Sequence, residues 1–418
     1  MNHTIKVNEQ KCIGCVTCMK SCPTKAIRII NKKAVIIDER CIDCGECFRA
    51  CKYDAIEILS TEESTLEKFK YKVALPSPVL YSQFGENVLP GEVLCILKEM
   101  GFDSVYDEAV ICEMTSMAIE EYLDKYRGIK PIISSSCPVV VRLIQRLFPG
   151  LCKQIIPIEP PREVAAKNLR REISKKHNLQ PQEIGIFHIT PCSAKILSIN
   201  YPETMGKSNL DGAVPINKIY NNLMMKIKTN KKPIMIQHHS NVSGVGISWT
   251  IPGNEIRNLK FRTVAVSGVI DTIEILQDVE SNKLKNIDYL ECLICPHGCL
   301  GGPLTVENRF IAKSNMLHLI RMYGKKRTVN TNLVRKLYQE KFFSFEHNVI
   351  PKPFPPLDPN TTRALEKLKQ KESIMNQLPG YDCGMCGSPD CKTFAEDVVR
   401  NDILMDKCMF LPQAGDYE

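Results

Sequence analysis

Four cysteines in three separated segments of the chain are the residues best placed to do chemistry. Cys137 lies in SSSCPVV, Cys192 in TPCSAK, and Cys295 and Cys299 in ECLICPHGCLGGP. Thiolates are the ligands that iron–sulfur clusters select, and a simple electron carrier takes them from one short run. Here about 160 residues separate the first cysteine from the last. The fold itself must therefore assemble this site, which favours a site of reaction over a site that only carries electrons.

Eight further cysteines near the N-terminus form an internal repeat, in which each cysteine of a first run recurs 29 residues later. The two runs are Cys12, Cys15, Cys18 and Cys22, followed by Cys41, Cys44, Cys47 and Cys51. This spacing resembles that of bacterial two-cluster ferredoxins, in which the fourth cysteine of each run serves the other cluster. The resemblance implies that Cys51 completes the first 4Fe-4S cluster and Cys22 the second. Zinc is the alternative occupant of such thiol sets.

A third group of cysteines lies near the C-terminus, after a proline-rich stretch. Its members are Cys383, Cys386, Cys391 and Cys408. Their spacing resembles that of the small 4Fe-4S domain found in the B subunit of the Rnf complex and in corrinoid iron–sulfur proteins. Glycines and Pro389 between the ligands would let the loop curl round a cubane, and zinc is again the alternative.

Between the two cysteine-rich ends, short β-like runs alternate with amphipathic helical stretches. KPIMIQHH and RTVAVSG are predicted strands, and EVLCILKEMG and TIEILQDVES are predicted helices. The alternation predicts an α/β domain with helices around parallel strands, whose strand-end loops would present the four dispersed cysteines to one cleft. Four other cysteines are interpreted as core thiols or non-ligands: Cys95, Cys112, Cys152 and Cys292.

These observations predict three domains. A two-cluster ferredoxin-type domain of α+β class comes first, the α/β domain follows, and a small cysteine-rich helical 4Fe-4S domain ends the chain. A proline-rich linker, a stiff spacer that cannot be helical, precedes the last domain. The predicted boundaries are 1–60 (halves 3–32 and 32–61), 73–345, 346–360 for the linker, and 361–418.

The central segment, from about Val73 to Lys341, resembles the catalytic domain of [FeFe] hydrogenases. In that family the cysteine loops read Thr-Ser-Cys-Cys-Pro, Met-Pro-Cys-Thr-Ala-Lys and Ala-Cys-Pro-Gly-Gly-Cys. The resemblance implies that the four dispersed cysteines hold a 4Fe-4S cubane, the cubane of an H-cluster. Cys299 would also bridge to a two-iron subcluster that carries CO, cyanide and a dithiolate. It further implies that Lys195 donates a hydrogen bond to one iron-bound cyanide, and that Pro76 and Ser77 contact the other.

The same resemblance brings out departures along the proton path. The family's relay cysteine, directly before the first ligand, is Ser136 here, and a hydroxyl is a far weaker acid than a thiol. Met114 and Met117 align with two relay glutamates, although Glu113 lies one residue away. Glu159 aligns with a relay serine. The ligands are kept while the proton path is altered, which resembles the slow hydrogenases assigned to sensing.

The composition is that of an ordinary globular protein, with 44% apolar and 24% charged residues and a net charge of +8. No nucleic-acid-reading motif accompanies the basic residues, and the N-terminus lacks the apolar stretch of a signal peptide. No apolar run reaches the roughly 18 residues that span a bilayer. The 20 cysteines are therefore predicted to be reduced, in the cytoplasm.

Three functions fit this pattern. The first is a low-turnover, hydrogenase-like redox protein that senses H2 or redox state. The second is an active ferredoxin-linked hydrogenase with an altered proton path. The third is a cubane-only electron carrier or iron–sulfur assembly factor. The expected partners are ferredoxin or another redox or signalling protein, and the hydrogenase maturation proteins that would insert the two-iron subcluster.

Overall fold

The computed structural model describes residues 3–229, 242–257, 259–324 and 326–411. The chain forms two compact units, one made of residues 1–59 and 352–418 and the other of residues 60–351. The predicted strand at 232–239 lies outside the described residues, as does the predicted C-terminal domain beyond residue 411.

The N-terminal part of the first unit consists of short strands and helices. Its elements are β1 (Ile5–Val7), α1 (Thr17–Lys20), β2 (Ile27–Ile30), β3 (Lys33–Ile36), α2 (Glu46–Ala50) and β4 (Ile56–Ile58). β1 pairs with β4 and β2 pairs with β3, both antiparallel. α1 and α2 occupy equivalent positions in the two halves of the cysteine repeat. This α+β composition agrees with the predicted ferredoxin-type domain.

The second unit alternates helices and strands. Its elements are α3 (Glu63–Leu66), β5 (Tyr71–Pro76), α4 (Pro90–Glu99), β6 (Ser104–Val105), α5 (Glu108–Lys125), β7 (Ile132–Ile133), α6 (Pro138–Leu147), α7 (Pro161–His177), β8 (Ile184–Thr190), α8 (Ser193–Asn200), β9 (Gly212–Pro215), α9 (Ile216–Thr229), α10 (Gly244–Ile247), β10 (Thr263–Ser267), α11 (Val269–Glu280), β11 (Tyr289–Leu293), α12 (Arg309–Tyr323) and α13 (Thr331–Gln339). The predicted strand RTVAVSG is β10, and the two predicted helices are α4 and α11.

Two parallel sheets form the centre of this unit. The first has the strand order β6-β5-β8-β9 and the second the order β10-β11-β7. β8 and β11 are buried along their whole length, as expected of parallel strands that helices cover on both faces. The predicted α/β class of the central domain is confirmed.

The cysteine loops of this unit follow the carboxyl ends of three parallel strands. β7 ends four residues before Cys137, β8 ends two residues before Cys192, and β11 ends two residues before Cys295. α6 and α8 begin directly after the first two cysteines, and Pro138 occupies the first position of α6, where a missing N–H is tolerated. The strand-to-helix connections therefore fix the positions of the thiols.

The C-terminal part of the first unit contains α14 (Thr361–Gln377) and α15 (Cys391–Val399). Residues 351–359, the proline-rich stretch, form neither helix nor strand. A small apolar cluster of Leu378, Phe394, Ala395 and Cys408 packs beneath the cysteine loop. Within the described ranges of the whole chain, no helix combines the length and apolar character needed to cross a bilayer.

Candidate iron–sulfur sites

The first ferredoxin-type cysteine set surrounds one cavity. This cavity is lined by Cys12, Cys15, Cys18 and Cys51, the set that the ferredoxin resemblance implies for the first cluster. Burial, reinforced by the three neighbouring thiolates, raises the pKa of Cys18 to about 11. A buried thiol of this kind ionises when a metal replaces its proton. The donor set and the cavity therefore fit an iron–sulfur cubane.

The second set also comes together. Burial raises the pKa of Cys44, and the thiolates of Cys22, Cys47 and Cys41 raise it further. The influence of Cys22 on Cys44 places the fourth cysteine of the first run beside the second run. This position of Cys22 is compatible with the exchange of fourth cysteines that the ferredoxin resemblance implies, and that exchange stays a prediction.

Backbone N–H groups point at the sulfurs in an arrangement that repeats with the sequence. The N–H of Ala26 donates to Cys22 Sγ at 3.2 Å, and that of Ala55 donates to Cys51 Sγ at 3.3 Å. Both residues of one pair lie 29 positions before those of the other. Such N–H···S bonds stabilise the added negative charge of a reduced cluster.

The C-terminal cysteines surround a third space. This space is lined by Cys383, Cys386, Cys391 and Cys408. Burial raises the pKa of Cys386, and the thiolates of Cys383 and Cys408 act in the same direction. The N–H of Cys391 donates to Asp382 Oδ1 at 2.7 Å, which fixes the loop before α15. This set also fits a cubane.

The central cysteines converge at the strand ends of the second unit. Burial, with the nearby thiolates of Cys192 and Cys299, raises the pKa of Cys137 to about 11. The backbone N–H of Ile294 donates to the Cys137 sulfur and lowers that pKa in part. Ile294 directly precedes Cys295, so the loop that carries Cys295 reaches the same place. The loops that carry the four cysteines therefore approach one another, and thiolates are the soft donors that an iron–sulfur cluster selects.

Lys195 lies in the first turn of α8, beside the central thiols. Burial lowers its pKa, but the Cys299 thiolate and the Glu108 carboxylate outweigh burial and raise the pKa of Lys195. Glu108 Oε2 lies 3.1 Å from Nε2 of His188, and both side chains are buried. Lys195 is therefore an ammonium that faces Cys299, a position suited to an anionic group bound there.

Pro76 and Ser77 stand at the same sheet edge as Cys192. Pro76 is the last residue of β5 and pairs with Ile189 of β8. The N–H of Ser77 donates to the carbonyl of Ile189 at 3.0 Å, and its side chain is buried. Both residues therefore lie close to the strand end from which the Cys192 loop departs.

Comparison with known protein families agrees with this geometry. The family model described as "Iron only hydrogenase large subunit, C-terminal domain" matches residues 70–221 and 216–303, more than half of the chain. The chain belongs to this iron-only hydrogenase family. A "4Fe-4S dicluster domain" model matches residues 4–52, and an Fe-S cluster model matches residues 378–410. A 4Fe-4S domain therefore precedes the hydrogenase-like domain, and an Fe-S cluster segment follows it.

Individual relatives give the same result. The chain is 29% identical over 238 residues to the periplasmic [Fe] hydrogenase large subunit of Nitratidesulfovibrio vulgaris, covering 52% of this chain and 56% of that protein. It is 38% identical over 45 residues to an uncharacterized protein of Methanocaldococcus jannaschii, covering 11% of this chain and 20% of that protein. The chain thus spans about half of the hydrogenase relative and a fifth of the other.

Solved structures of an [FeFe]-hydrogenase from Chlamydomonas reinhardtii share the fold. Two of them align with TM-scores of 0.53 and 0.54 at 12% and 13% identity, covering 69% and 70% of this chain and 98% and 99% of the solved chains. At this identity the likeness concerns the fold. It agrees with the two parallel sheets and the strand-end cysteine loops.

In this hydrogenase-family chain, Ser136 belongs to a buried polar network. Ser136 Oγ donates to Glu255 Oε2 at 2.9 Å, and Ser134 Oγ lies 3.1 Å from the same oxygen. The hydroxyl of Tyr289 donates to Glu255 Oε1 at 2.5 Å. Burial raises the pKa of Glu255, although these three hydrogen-bond donors lower it in part. Burial also raises the pKa of Glu291, and the nearby charge of Glu255 acts in the same direction. A weakly acidic carboxyl group therefore contacts the residue next to the first ligand.

The residues aligned with the family's relay glutamates have other surroundings. Met114 and Met117 are buried in α5. Glu113 accepts from the backbone N–H groups of Thr328 at 2.7 Å and Val329 at 3.1 Å, and from Ser243 Oγ. Its carboxylate thus holds the segment that follows α12.

Glu159, aligned with the family's relay serine, is buried and accepts from Thr204 Oγ1 at 3.0 Å. Burial raises the pKa of Glu159 to about 8, although the Thr204 bond lowers it in part. The carboxyl group is therefore protonated through most of the neutral range.

Sequence reasoning missed Glu255, Glu291, Glu108 and His188. One signal was available, because His188 and Glu291 are polar residues within otherwise apolar strands, where a side chain needs a polar partner. The prediction that Cys95 is a core thiol was wrong: it is exposed on α4. Cys112 and Cys152 are buried, as predicted. Cys292 is buried as well, and its exclusion from the ligand set stays a prediction.

Proposed function

We propose that this chain is a hydrogenase-like redox protein of low turnover that senses H2 or redox state. One observation carries the proposal: the central thiols and Lys195 converge, while Ser136 stands where the family places its relay cysteine. Met114 and Met117 stand where the family places relay glutamates, and thioethers hold no exchangeable proton. The chain thus keeps the parts that hold a cluster and alters the parts that move protons quickly.

The proposal assigns the central residues as follows. Cys137, Cys192, Cys295 and Cys299 would hold a cubane, and Cys299 would bridge to a two-iron group. Lys195 would donate to one cyanide of that group, and Pro76 and Ser77 would contact the other. When bound, the two-iron group supplies the heterolytic cleavage of H2. The ammonium of Lys195 beside Cys299 supports this assignment, because it offsets negative charge in a buried place.

A slow enzyme can still signal. If the redox state of the clusters alters how a partner docks, signalling needs a population shift rather than a high flux. We propose ferredoxin or another redox or signalling protein as that partner, and hydrogenase maturation proteins as the source of the two-iron group. A reducing cytoplasm would keep the free thiols available for iron.

Infrared spectroscopy tests the proposal directly. Protein matured with the hydrogenase maturation enzymes should show bands of iron-bound CO and cyanide, and protein made without them should not. Iron analysis should rise from about 16 atoms per chain for four cubanes to about 18 with the two-iron group. Matured protein without these bands would contradict the proposal and favour a cubane-only carrier or assembly factor.

Ser136→Cys tests the proton argument. A thiol at this position should raise H2-linked turnover by at least about tenfold, because positioned proton donors contribute roughly 10²- to 10⁴-fold to rates. The infrared bands should stay in place, so that the change is in rate rather than in loading. Ser135→Cys is the matched control, since Ser135 Oγ donates to the carbonyl of Ile158 instead of Glu255. An unchanged rate in Ser136→Cys would contradict the role given to the relay position.

A second candidate is an active hydrogenase with an altered proton path. The hydrogen bond from Ser136 to Glu255 favours it, because the hydroxyl of Ser136 would then exchange protons with a buried carboxyl group. Sustained H2 evolution from reduced ferredoxin at ordinary hydrogenase rates would support this candidate over the sensor.

A further inference from the structure

A buried ion pair joins the two ends of the chain within the first unit. Arg28 of β2 donates through Nε to Asp397 Oδ2 at 2.6 Å and through Nη2 to Asp397 Oδ1 at 2.8 Å. Ser388 Oγ donates to Asp397 Oδ2 at 2.6 Å. All three side chains are buried. A two-point guanidinium–carboxylate pair fixes orientation as well as distance, so the C-terminal cysteine loop is held on β2 in one position.

A backbone hydrogen bond lies beside this ion pair and connects two cluster cavities. The N–H of Ile29 donates to the carbonyl of Gly387 at 2.9 Å. Gly387 directly follows Cys386, and Ile29 lines the cavity of the first ferredoxin-type set. A Cβ at Gly387 would lie 2.3 Å from the Ile29 carbonyl oxygen, and its φ is +90°. Only glycine lets the two backbones approach this closely.

Lys20, at the end of α1, also contacts the C-terminal cysteine loop. Its ammonium donates to the carbonyl of Pro389 at 2.6 Å and to that of Asp382, the residue before Cys383. Lys20 stands two residues after Cys18 in the sequence. One cation therefore lies between two cysteine sets that each gain negative charge when their cluster is reduced.

Two further ion pairs surround the contact. Lys25 Nζ lies 2.5 Å from Asp390 Oδ2, and Arg40 pairs with Glu396. Lys371 Nζ is 2.7 Å from the second oxygen of Glu396, and Arg400 Nε is 3.3 Å from the first, so that three cations share this carboxylate. The contact thus combines one buried pair, one backbone bond and a rim of charged pairs.

From this arrangement we infer that the C-terminal cysteine set and the first ferredoxin-type set form a fixed electron-transfer pair. The Cys386–Gly387 segment and Ile29 provide the connection, and Arg28 with Asp397 holds it in place. A single electron from an external one-electron donor passes between the two cubanes, one being oxidised as the other is reduced. No bond breaks and no proton moves. The inference rests on the 4Fe-4S clusters and is independent of the two-iron group.

Electron paramagnetic resonance of dithionite-reduced protein tests this inference. The full chain is made without maturation enzymes, so that cubanes alone contribute. Two reduced cubanes held together broaden each other's signals. Cys383→Ala with Cys408→Ala, which removes the C-terminal ligands, should sharpen the signal of the first ferredoxin-type cluster. Arg28→Gln should sharpen it in the same way while keeping the iron content of the parent.

The matched control is Arg49→Gln. Arg49 pairs with Glu46 inside α2, so the change is of the same type but leaves the pair of Arg28 with Asp397 intact. Arg49→Gln should retain the broadened parent spectrum. The inference is overturned if Arg28→Gln also retains it, or if removal of the C-terminal ligands changes nothing in the signal of the first cluster.

A second measurement needs no interface variant. A specific protease site inserted after Pro351 allows the folded full-length chain to be cut within the linker. The fragment that begins at Lys352 should then co-elute with the remainder in gel filtration. Separation of the fragment would overturn the inference. Neither experiment measures CO or cyanide bands, so its outcome is separate from that of the proposed function.

Discussion

The ferredoxin-type cysteines and the central cysteines lie in different kinds of surroundings. In the first unit the thiols pack with apolar side chains such as Ile5, Met19 and Ile27, and backbone N–H groups point at the sulfurs. In the second unit, two buried polar groups lie near the thiols. The ammonium of Lys195 is beside Cys299, and the weakly acidic carboxyl group of Glu255 contacts Ser136, the residue before Cys137. The first arrangement favours a change in electron number alone. The second can couple an electron to a proton.

Loss of a central ligand would test whether the two kinds of site fill independently. Cys192→Ala should lower the iron content of protein made without maturation enzymes by about four atoms per chain, because three thiols do not complete a cubane. The ferredoxin-type signals in electron paramagnetic resonance should persist. Cys292→Ala, which alters a buried thiol of β11 outside the predicted ligand set, should keep the full iron content. Loss of the ferredoxin-type signals in Cys192→Ala would contradict independent filling.

Proton transfer at the central site of the second unit is expected to depend on Glu255. Glu255→Gln keeps the shape of the side chain but removes its exchangeable acid, so the H2-linked turnover of matured protein should fall by about 10- to 100-fold. The infrared bands should remain. Glu113→Gln is the control: its carboxylate holds backbone N–H groups, so this change should lower the thermal midpoint without changing the rate per loaded site. Equal rates in Glu255→Gln and the parent would exclude Glu255 from the proton path.

The buried carboxyl groups of the second unit should also make its stability depend on pH. Burial raises the pKa of Glu159 to about 8 from its usual 4.5, so the native state keeps a proton that the unfolded chain releases. Stability should therefore fall as the pH rises from about 4.5 to about 8, by at most about 1.4 kcal/mol per pH unit.

Glu159→Gln removes this contribution. Thermal midpoints measured between pH 5.5 and 8.5 should decline less steeply in the variant than in the parent. Glu340→Gln, at an exposed position after α13, controls for the substitution. Parallel pH curves for the parent and Glu159→Gln would show that Glu159 binds no extra proton in the native state.

The smallest expected effect concerns the ferredoxin-type cysteines, whose surroundings favour a change in electron number alone. Thr17 Oγ1 lies 3.5 Å from Cys15 Sγ, and its hydrogen bond lowers the pKa of Cys15. In the free protein the Cys15 thiol donates this bond, and the Thr17 hydroxyl donates to the carbonyl of Cys15 at 3.4 Å. When Cys15 is a cluster thiolate it has no proton to donate, so the Thr17 hydroxyl becomes the donor to sulfur and stabilises the reduced state. Thr17→Val should therefore shift one ferredoxin-type potential by roughly 20 to 60 mV to more negative values, the equivalent of one hydrogen bond. A redox titration followed by electron paramagnetic resonance measures it, and an unchanged potential would contradict the bond.

The terminal cysteine sets were predictable because their ligand spacing is local. Cys12, Cys15 and Cys18 lie within seven residues, and the repeat indicates which distant cysteine completes each set. The convergence of the central loops followed from a general property of α/β folds, in which parallel strands end at one edge. Helix periodicity also predicts that Cys95 is exposed. Cys95 lies between buried residues of α4 but on the other face, which the helical spacing of Val93 and Ile96 indicates.

The polar networks could not be read from the sequence. Ser136 and Glu255 are 119 residues apart, and Glu108 and His188 are 80 residues apart. No local pattern links such pairs, because packing of separate elements brings them together. The sequence therefore predicts the proton path only through the family resemblance, and the fold adds Glu255 to it.

The ion pair at Arg28 has a consequence for the symmetry of the duplicated domain. The position equivalent to Arg28 in the second half, 29 residues later, is Glu57, whose carboxylate accepts from Asn8 Nδ2 at 2.9 Å. If the two halves were identical, the C-terminal segment could bind to either of them at equivalent positions. Because Arg28 is positive and Glu57 is negative, Asp397 is attracted to the first half and repelled from the second. The two halves of the duplicated domain are thereby distinct. The order of the clusters is then fixed, because the C-terminal cysteine set lies beside the first half only.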